Sequence, residues 1–293
     1  MKAYLDPLVI AKLASLYLKA KYIVEGTVAG LHTSRQKGQS LEFSQHREYS
    51  PGDELKHIDW KVYGKSDRYF VKQYEEETNL RAHILLDASA SMSFRSGGIS
   101  KFEYASYITA ALSYLMIKQG DSVGLCVFGD NLKKIIPPRS GFSHLSVMLD
   151  ALQGITPEGE TNVSSTLLNF SAYIKKRGLI IIISDLFDES SAVIKAIKNF
   201  RFSKYDVIVF HILDKTEEKL DLSGNILFKD METGENLVTE PEIIKKAYQK
   251  LLLDMIEKYK TEFLKSDIDY FYFNTSMPLD LALTGYLSKR AKI

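Results

Sequence analysis

The chain has 293 residues, room for one large domain or for a main domain with a smaller companion. Its 45% hydrophobic and 26% charged residues suit a globular protein with a sizeable core. With 38 basic against 37 acidic side chains the net charge is +1, which gives nucleic acid binding no global electrostatic support. The single cysteine, Cys126, excludes an internal disulfide and a cysteine-rich zinc cage. It lies in the apolar run from Val123 to Phe128 and reads as a buried strand thiol. Lys2, Asp6 and Lys12 interrupt the start of the chain where a signal peptide would be apolar. No apolar run approaches the roughly 20 residues that span a bilayer. The expectation is a reduced, cytoplasmic protein.

Pro7 to Lys21 predicts an amphipathic helix, with Leu8, Ala11 and Leu18 at helical spacing. Its apolar face suits docking on the protein rather than on a membrane surface, because few lysines flank it. From Tyr22 to Glu77 the pattern changes. Gly26, Gly30, Gly38 and Gly52 punctuate short alternations, which predicts small strands and tight loops. Ser50-Pro51-Gly52-Asp53 is a turn signal, Leu55 to Val62 a short helix carrying Trp60 as a core anchor, and Phe70 to Tyr74 a strand. That strand runs into Glu75-Glu76-Glu77, a solvated strand end or a docking surface for basic groups. Residues 1–80 are therefore expected to form an N-terminal helix and a small β-rich module, and residues 81–293 the main domain.

The main domain alternates. Strands are expected at Ile84–Leu86, Val123–Phe128, Leu132–Ile136, Leu179–Ser184, Asp206–Leu213 and Ile268–Phe273. Helices are expected at Lys101–Lys118, His144–Leu152, Val163–Lys176, Ser191–Phe200, Pro241–Lys265 and from Pro278 onward, with a hairpin over Asn225–Thr239. Wholly apolar strands alternating with helices indicate a mostly parallel sheet covered on both faces.

Asp87 ends the first apolar run, and Ser89 and Ser91 follow it at alternate positions. Asp185 ends another such run, and Thr161 precedes a helix start in the loop from Pro157 to Asn162. Ligands of open α/β sheets sit outside the carboxyl ends of the strands where the winding reverses. If the strands ending at Asp87 and Asp185 are neighbours there, two carboxylates and three hydroxyls converge. An all-oxygen set of this kind suits a hard cation such as Mg2+. The alternative is that Asp87 caps a helix and the serines solvate a turn.

Asp87-x-Ser89-x-Ser91 with Thr161 and Asp185 resembles the metal-ion-dependent adhesion site of von Willebrand factor A-type domains. Further upstream stand Gly30-Leu31-His32-Thr33-Ser34-Arg35, Glu42-Phe43, Arg47-Glu48-Tyr49, Pro51-Gly52-Asp53 and Ile58-Asp59-Trp60. Together they resemble the signature of a bacterial family of unknown function commonly encoded beside MoxR-type AAA+ ATPases. Lys56 and Lys65 depart from it where arginine is expected, which weakens any bidentate anion contact there. The resemblance implies a von Willebrand A-like, Rossmann-type fold with a six-stranded sheet. It also implies a binding module in which Asp87, Ser89, Ser91, Thr161 and Asp185 hold Mg2+ (or Mn2+ or Ca2+) and an acidic partner side chain completes the coordination. The implied partners are proteins, a MoxR-type ATPase and other von Willebrand A-containing chains among them.

Two rival readings stand beside it. A Mg2+-dependent phosphatase of the haloacid-dehalogenase kind would use Asp87 and Lys101, but it wants an acid two positions after the nucleophile, where Ser89 stands. A scaffold holding no functional ion is the other. No Gly-x-x-x-x-Gly-Lys-Ser/Thr loop occurs, so ATP hydrolysis would belong to a partner, and the six histidines form no metalloprotease motif. The expectation is a protein that is not an enzyme.

Overall fold

The structure, a computed structural model, describes residues 6–34, 46–48, 70–72, 80–160, 162–229 and 236–290. The chain falls into two compact units, residues 1–30 with 80–293, and residues 31–79. In the smaller unit, β1 (His46–Glu48) pairs antiparallel with β2 (Phe70–Lys72), Arg47 opposite Val71. The expected turn at Ser50–Asp53, the helix carrying Trp60, and Glu75 to Glu77 lie outside the described residues.

The larger unit opens with α1 (Pro7–Ala11) and with α2 (Leu16–Ser34) up to Gly30, where the sequence predicts one helix ending at Lys21. The break comes at Ser15, whose hydroxyl accepts from the Leu18 N–H at 3.2 Å and so starts a new helix. Beyond Lys21 the helix continues through Gly26 and Gly30, against the expectation of strands. Leu16, Ala20, Ile23, Val24 and Thr27 are buried along one stripe, and that burial outweighs about 1 kcal/mol per helical glycine. The stripe packs into the main core, and Lys19 Nζ donates to Tyr107 Oη at 3.2 Å. These N-terminal helices therefore group with the sheet, whereas the sequence reading placed them with the segment up to residue 80.

The sheet contains β3 (Arg81–Asp87), β4 (Ser122–Phe128), β5 (Leu132–Arg139), β6 (Leu179–Ser184), β7 (Asp206–Leu213) and β10 (Asp269–Asn274). Its order is β10-β7-β6-β3-β4-β5, parallel throughout except for antiparallel β5 at one edge. β5 runs on through Pro137 and Pro138, past its expected end at Ile136, because an edge strand can spare those N–H groups.

Within each buried strand, alternate residues serve opposite cores. Ile84, Leu86, Ile181, Ile183, Ile208 and Phe210 face one side, together with α3 (Lys101–Lys118), α4 (Phe142–Gln153) and α9 (Asp280–Arg290). Leu85, Ile180, Ile182, Val207 and Val209 face the other, with α5 (Val163–Tyr173), α6 (Ser190–Phe202) and α8 (Pro241–Leu264). Two sandwiched faces explain why these runs are continuously apolar rather than alternating. A short helix α7 (Lys215–Lys219) and a hairpin of β8 (Ile226–Lys229) with β9 (Asn236–Thr239) complete the unit. Among the described residues, no helix is long and apolar enough to cross a membrane.

The chain lays down β3, proceeds outward to β4 and β5, then returns to β6 on the opposite side of β3. The winding therefore reverses between β3 and β6, whose carboxyl ends carry Asp87 and Asp185.

Candidate metal centre

Leu86 lies opposite Ile183 in the parallel register, which brings the end of β3 level with Ser184 at the end of β6. The Ser184 hydroxyl donates to Asp87 Oδ2 at 2.5 Å, and the Ser89 N–H donates to Asp87 Oδ1 at 2.9 Å. Ser89 Oγ and Ser91 Oγ stand 3.0 Å apart, hydrogen-bonded to each other. Asp87, Ser89 and Asp185 are fully buried and Ser91 half-buried. Burial, followed by the neighbouring Asp185 charge, pushes the Asp87 carboxyl up to about 7, against the hydrogen bonds from Ser184 and Ser89.

Directly after Asp185 the chain turns sharply. Leu186 takes a left-handed φ of 54°, held by its N–H on Ser184 Oγ at 2.9 Å and by Tyr259 Oη on its carbonyl at 3.2 Å. A branched residue in that region is costly, and such conformations concentrate at functional sites.

Of the five expected residues, Asp87 ends β3, Ser89 and Ser91 follow in the loop and short turn after that strand, and Asp185 directly follows β6. Thr161 lies outside the described residues, although the loop leading to it is anchored beside the others. Glu158 N–H donates to the Ala88 carbonyl at 3.1 Å and Ala90 N–H to the Gly159 carbonyl at 3.0 Å. Lys133 Nζ then bridges the Ala88 and Glu158 carbonyls at 2.9 and 2.6 Å.

Three partners escaped the sequence reading. Ser184 is one. Glu217 is another: its Oε1 accepts from Lys101 Nζ at 2.8 Å, and its Oε2 accepts from the Asp214 N–H at 2.7 Å. The third is Lys101 in this role, its ammonium 2.7 Å from Asp185 Oδ2 with both side chains fully buried. A lysine as the first residue of a helix reads from sequence as solvated; only the fold turns it inward. Lys101 does stand against an acid, as the phosphatase reading requires, but a hydroxyl, Ser89, occupies the place of that reading's acid/base.

The remaining candidates fall into packing roles. Burial pushes the Cys126 thiol up to about 12, and His211 is held neutral by burial, down to about 4, with Nδ1 2.7 Å from Tyr270 Oη. His144 Nε2 pairs with the Val123 carbonyl at 2.8 Å.

Among the described residues, no group of three or more His, Cys, Asp or Glu side chains is arranged for a metal. A divalent site among them would draw on oxygens besides carboxylates, such as the Ser89 and Ser91 hydroxyls. The crevice fits that demand. Its donors are all oxygen, with the Asp185 and Glu217 carboxylates on the Lys101 ammonium and Asp87 beside Asp185. Burial also pushes the Glu217 carboxyl upward, against the pull of the Lys101 ammonium.

A doubly wound, mostly parallel six-stranded sheet with helices on both faces gives the chain a von Willebrand A-like fold. The chain belongs to the family described as protein of unknown function DUF58, whose profile matches residues 45–255. It is 26% identical over 235 residues to uncharacterized protein Rv1480 of Mycobacterium tuberculosis, spanning 78% of this chain and 73% of that protein. Among solved structures, it is similar to the conserved hypothetical protein BatB from Bacteroides thetaiotaomicron. The TM-score is 0.52 at 21% identity, over 73% of this chain and all (100%) of that one. An aerotolerance-related membrane protein from Bacteroides fragilis also gives a TM-score of 0.52, at 18% identity over the same shares, 73% and 100%. At these identities the structural likeness speaks to fold.

Proposed function

We propose that the chain is a protein-binding module whose crevice takes a divalent cation, Mg2+ before Mn2+ or Ca2+, and through it an acidic side chain of a partner. The observation that carries this reading is the placement of Asp87 and Asp185 at neighbouring strand ends on the switch point, with the Ser89 and Ser91 hydroxyls beside them. Asp87, Ser89, Ser91, Thr161 and Asp185 would hold the ion. When bound, the ion would supply a concentrated positive charge to which a partner carboxylate can bond. The chain's own groups do the rest. Ser184 and the Ser89 N–H orient the Asp87 carboxylate, and Lys133 fixes the loop leading to Thr161.

The partnership with a MoxR-type AAA+ ATPase is supported by the sequence signature alone. This chain would act as an adaptor, with ATP hydrolysis on the partner.

Calorimetric titration of Mg2+ or Mn2+ into chelator-treated protein tests the reading, with capture of partners compared with and without EDTA. One ion per chain is expected, lost in Asp87→Ala, and a flat titration of the wild type refutes it. The ammonium on Asp185 favours a second reading, a scaffold in which that internal cation already serves. On that reading Asp87→Ala and EDTA leave partner capture unchanged. A generic phosphatase assay should be blank on both.

A further inference from the structure

Lys101 opens α3, where helix capping is already provided by Ser100 and Glu103: the Ser100 hydroxyl accepts from the Glu103 N–H, and the Glu103 carboxylate accepts from the Ser100 N–H. The lysine is therefore free of any part in starting the helix. It is fully buried, with Nζ 2.7 Å from Asp185 Oδ2, 2.8 Å from Glu217 Oε1 and 4.8 Å from the centre of the Phe187 ring. A buried ammonium is costly unless well paired, so charge rather than packing holds it there. Its pairing occupies one Asp185 oxygen, and the other accepts the Phe187 N–H at 3.3 Å.

With Asp87, Asp185 and Glu217 ionised, three negative charges and one positive leave the cluster at −2, a balance that one divalent cation completes. Without the lysine it stands at −3.

We propose that Lys101 is the resident counter-cation of the crevice, competing with the divalent ion for Asp185 and thereby setting how tightly the ion is held. This rests on the ion reading above. The ammonium already neutralises Asp185 in part, so an entering dication meets a weaker field and a nearby like charge. Asp87, held by the Ser184 hydroxyl and the Ser89 N–H rather than by the ammonium, then keeps the larger share of the attraction. The lysine holds affinity down and keeps the loaded site close to neutral, which leaves the ion free to attract a partner's carboxylate.

The test is calorimetric titration of Mg2+ into chelator-treated full-length wild type, Lys101→Met and the double variant Lys101→Met/Glu217→Gln, with thermal melts at each Mg2+ concentration. Lys101→Met should bind Mg2+ about tenfold more tightly and gain more melting temperature from Mg2+ than the wild type does. The double variant restores the −2 balance, keeps the proposal testable if the single variant does not fold, and should return affinity to near the wild-type value. Wild-type binding with Lys101→Met equal or weaker, or with the double variant as tight as Lys101→Met is expected to be, overturns the proposal while leaving the ion reading intact. A wild type that binds no Mg2+, with a Lys101→Met melt insensitive to Mg2+, overturns both.

Discussion

Ser184 and Asp87 are separated by 97 positions in the chain, yet the hydroxyl of the first donates to Oδ2 of the second at 2.5 Å. The bond closes the switch point, because it ties the last residue of β6 to the last residue of β3. Ser184 Oγ also accepts the Leu186 N–H at 2.9 Å. Ser184→Ala would leave a buried carboxylate and a buried N–H each short of a partner. A loss of about 1–3 kcal/mol is expected, larger at pH 8 than at pH 5, because it is the ionised Asp87 that the hydroxyl favours. Urea unfolding at the two pH values measures it, and equal losses would show that the bond does not discriminate between charge states.

Lys133 acts on the site through the backbone. Its ammonium bridges the carbonyls of Ala88 and Glu158, one on the loop after β3 and the other on the loop leading to Thr161. Lys133→Met keeps the aliphatic stem and removes the bridge. Hydrogen exchange at the Glu158 and Ala90 amides should rise several-fold, while global stability falls by no more than about 1 kcal/mol. Unchanged exchange at both amides would mean that the two backbone bonds between these loops suffice without the lysine.

The features that local chemistry determines were legible in the sequence. β6 and β7 read out with their full spans because they are buried on both faces. α3 read out because Gly120-Asp121 follows its last turn and its apolar spacing is unbroken. Asp87 and Asp185 stood out as acids closing apolar runs. What escaped depends on neighbours distant in sequence. Lys101 and Glu217 become site residues only once β6 and β7 lie side by side. Pro137 and Pro138 remain in β5 because that strand is an edge, a property no local window contains. Gly26 and Gly30 read as punctuation, whereas burial of Ala20, Ile23 and Val24 against the core carries the helix past them.

His83, on β3, gives the domain a sensitivity to acid. Burial, followed by the Arg81 charge, pushes its imidazole from 6.5 down to about 4, and the ring packs edge-on to Phe170 at 5.6 Å. In the folded chain it stays neutral while the unfolded chain takes up a proton near 6.5. Between those values the unfolded state binds more protons, so stability falls as pH falls, by up to about 3 kcal/mol from this group. His83→Gln should be less stable than wild type at pH 7.5 but lose less on going to pH 4.5. His211, shifted in the same sense, keeps some acid sensitivity in the variant. Parallel stability–pH curves for the two proteins would remove His83 from the account.

Gly178 permits the close approach of β3 and β6 at the end opposite the site. A Cβ built there would lie 2.0 Å from the Arg81 carbonyl oxygen, and no side-chain rotation relieves a clash with backbone. The same residue's carbonyl accepts the Asp206 N–H at 3.0 Å, so moving it also disturbs the start of β7. Gly178→Ala must then push Arg81 away and strain the pairing of Ala82 with Leu179. A loss of about 2–3 kcal/mol is expected. Gly97→Ala, where nothing lies within 4 Å of the added carbon, should change stability by less than about 0.5 kcal/mol. Comparing denaturation midpoints of the two variants isolates the backbone clash from the general effect of adding a methyl group. Because β3 and β6 deliver both acids, Gly178→Ala should also weaken Mg2+ binding if their register shifts along its length. Weaker stability with unchanged ion affinity would instead mean that the distortion dies out within the strands, before it reaches Asp87 and Asp185.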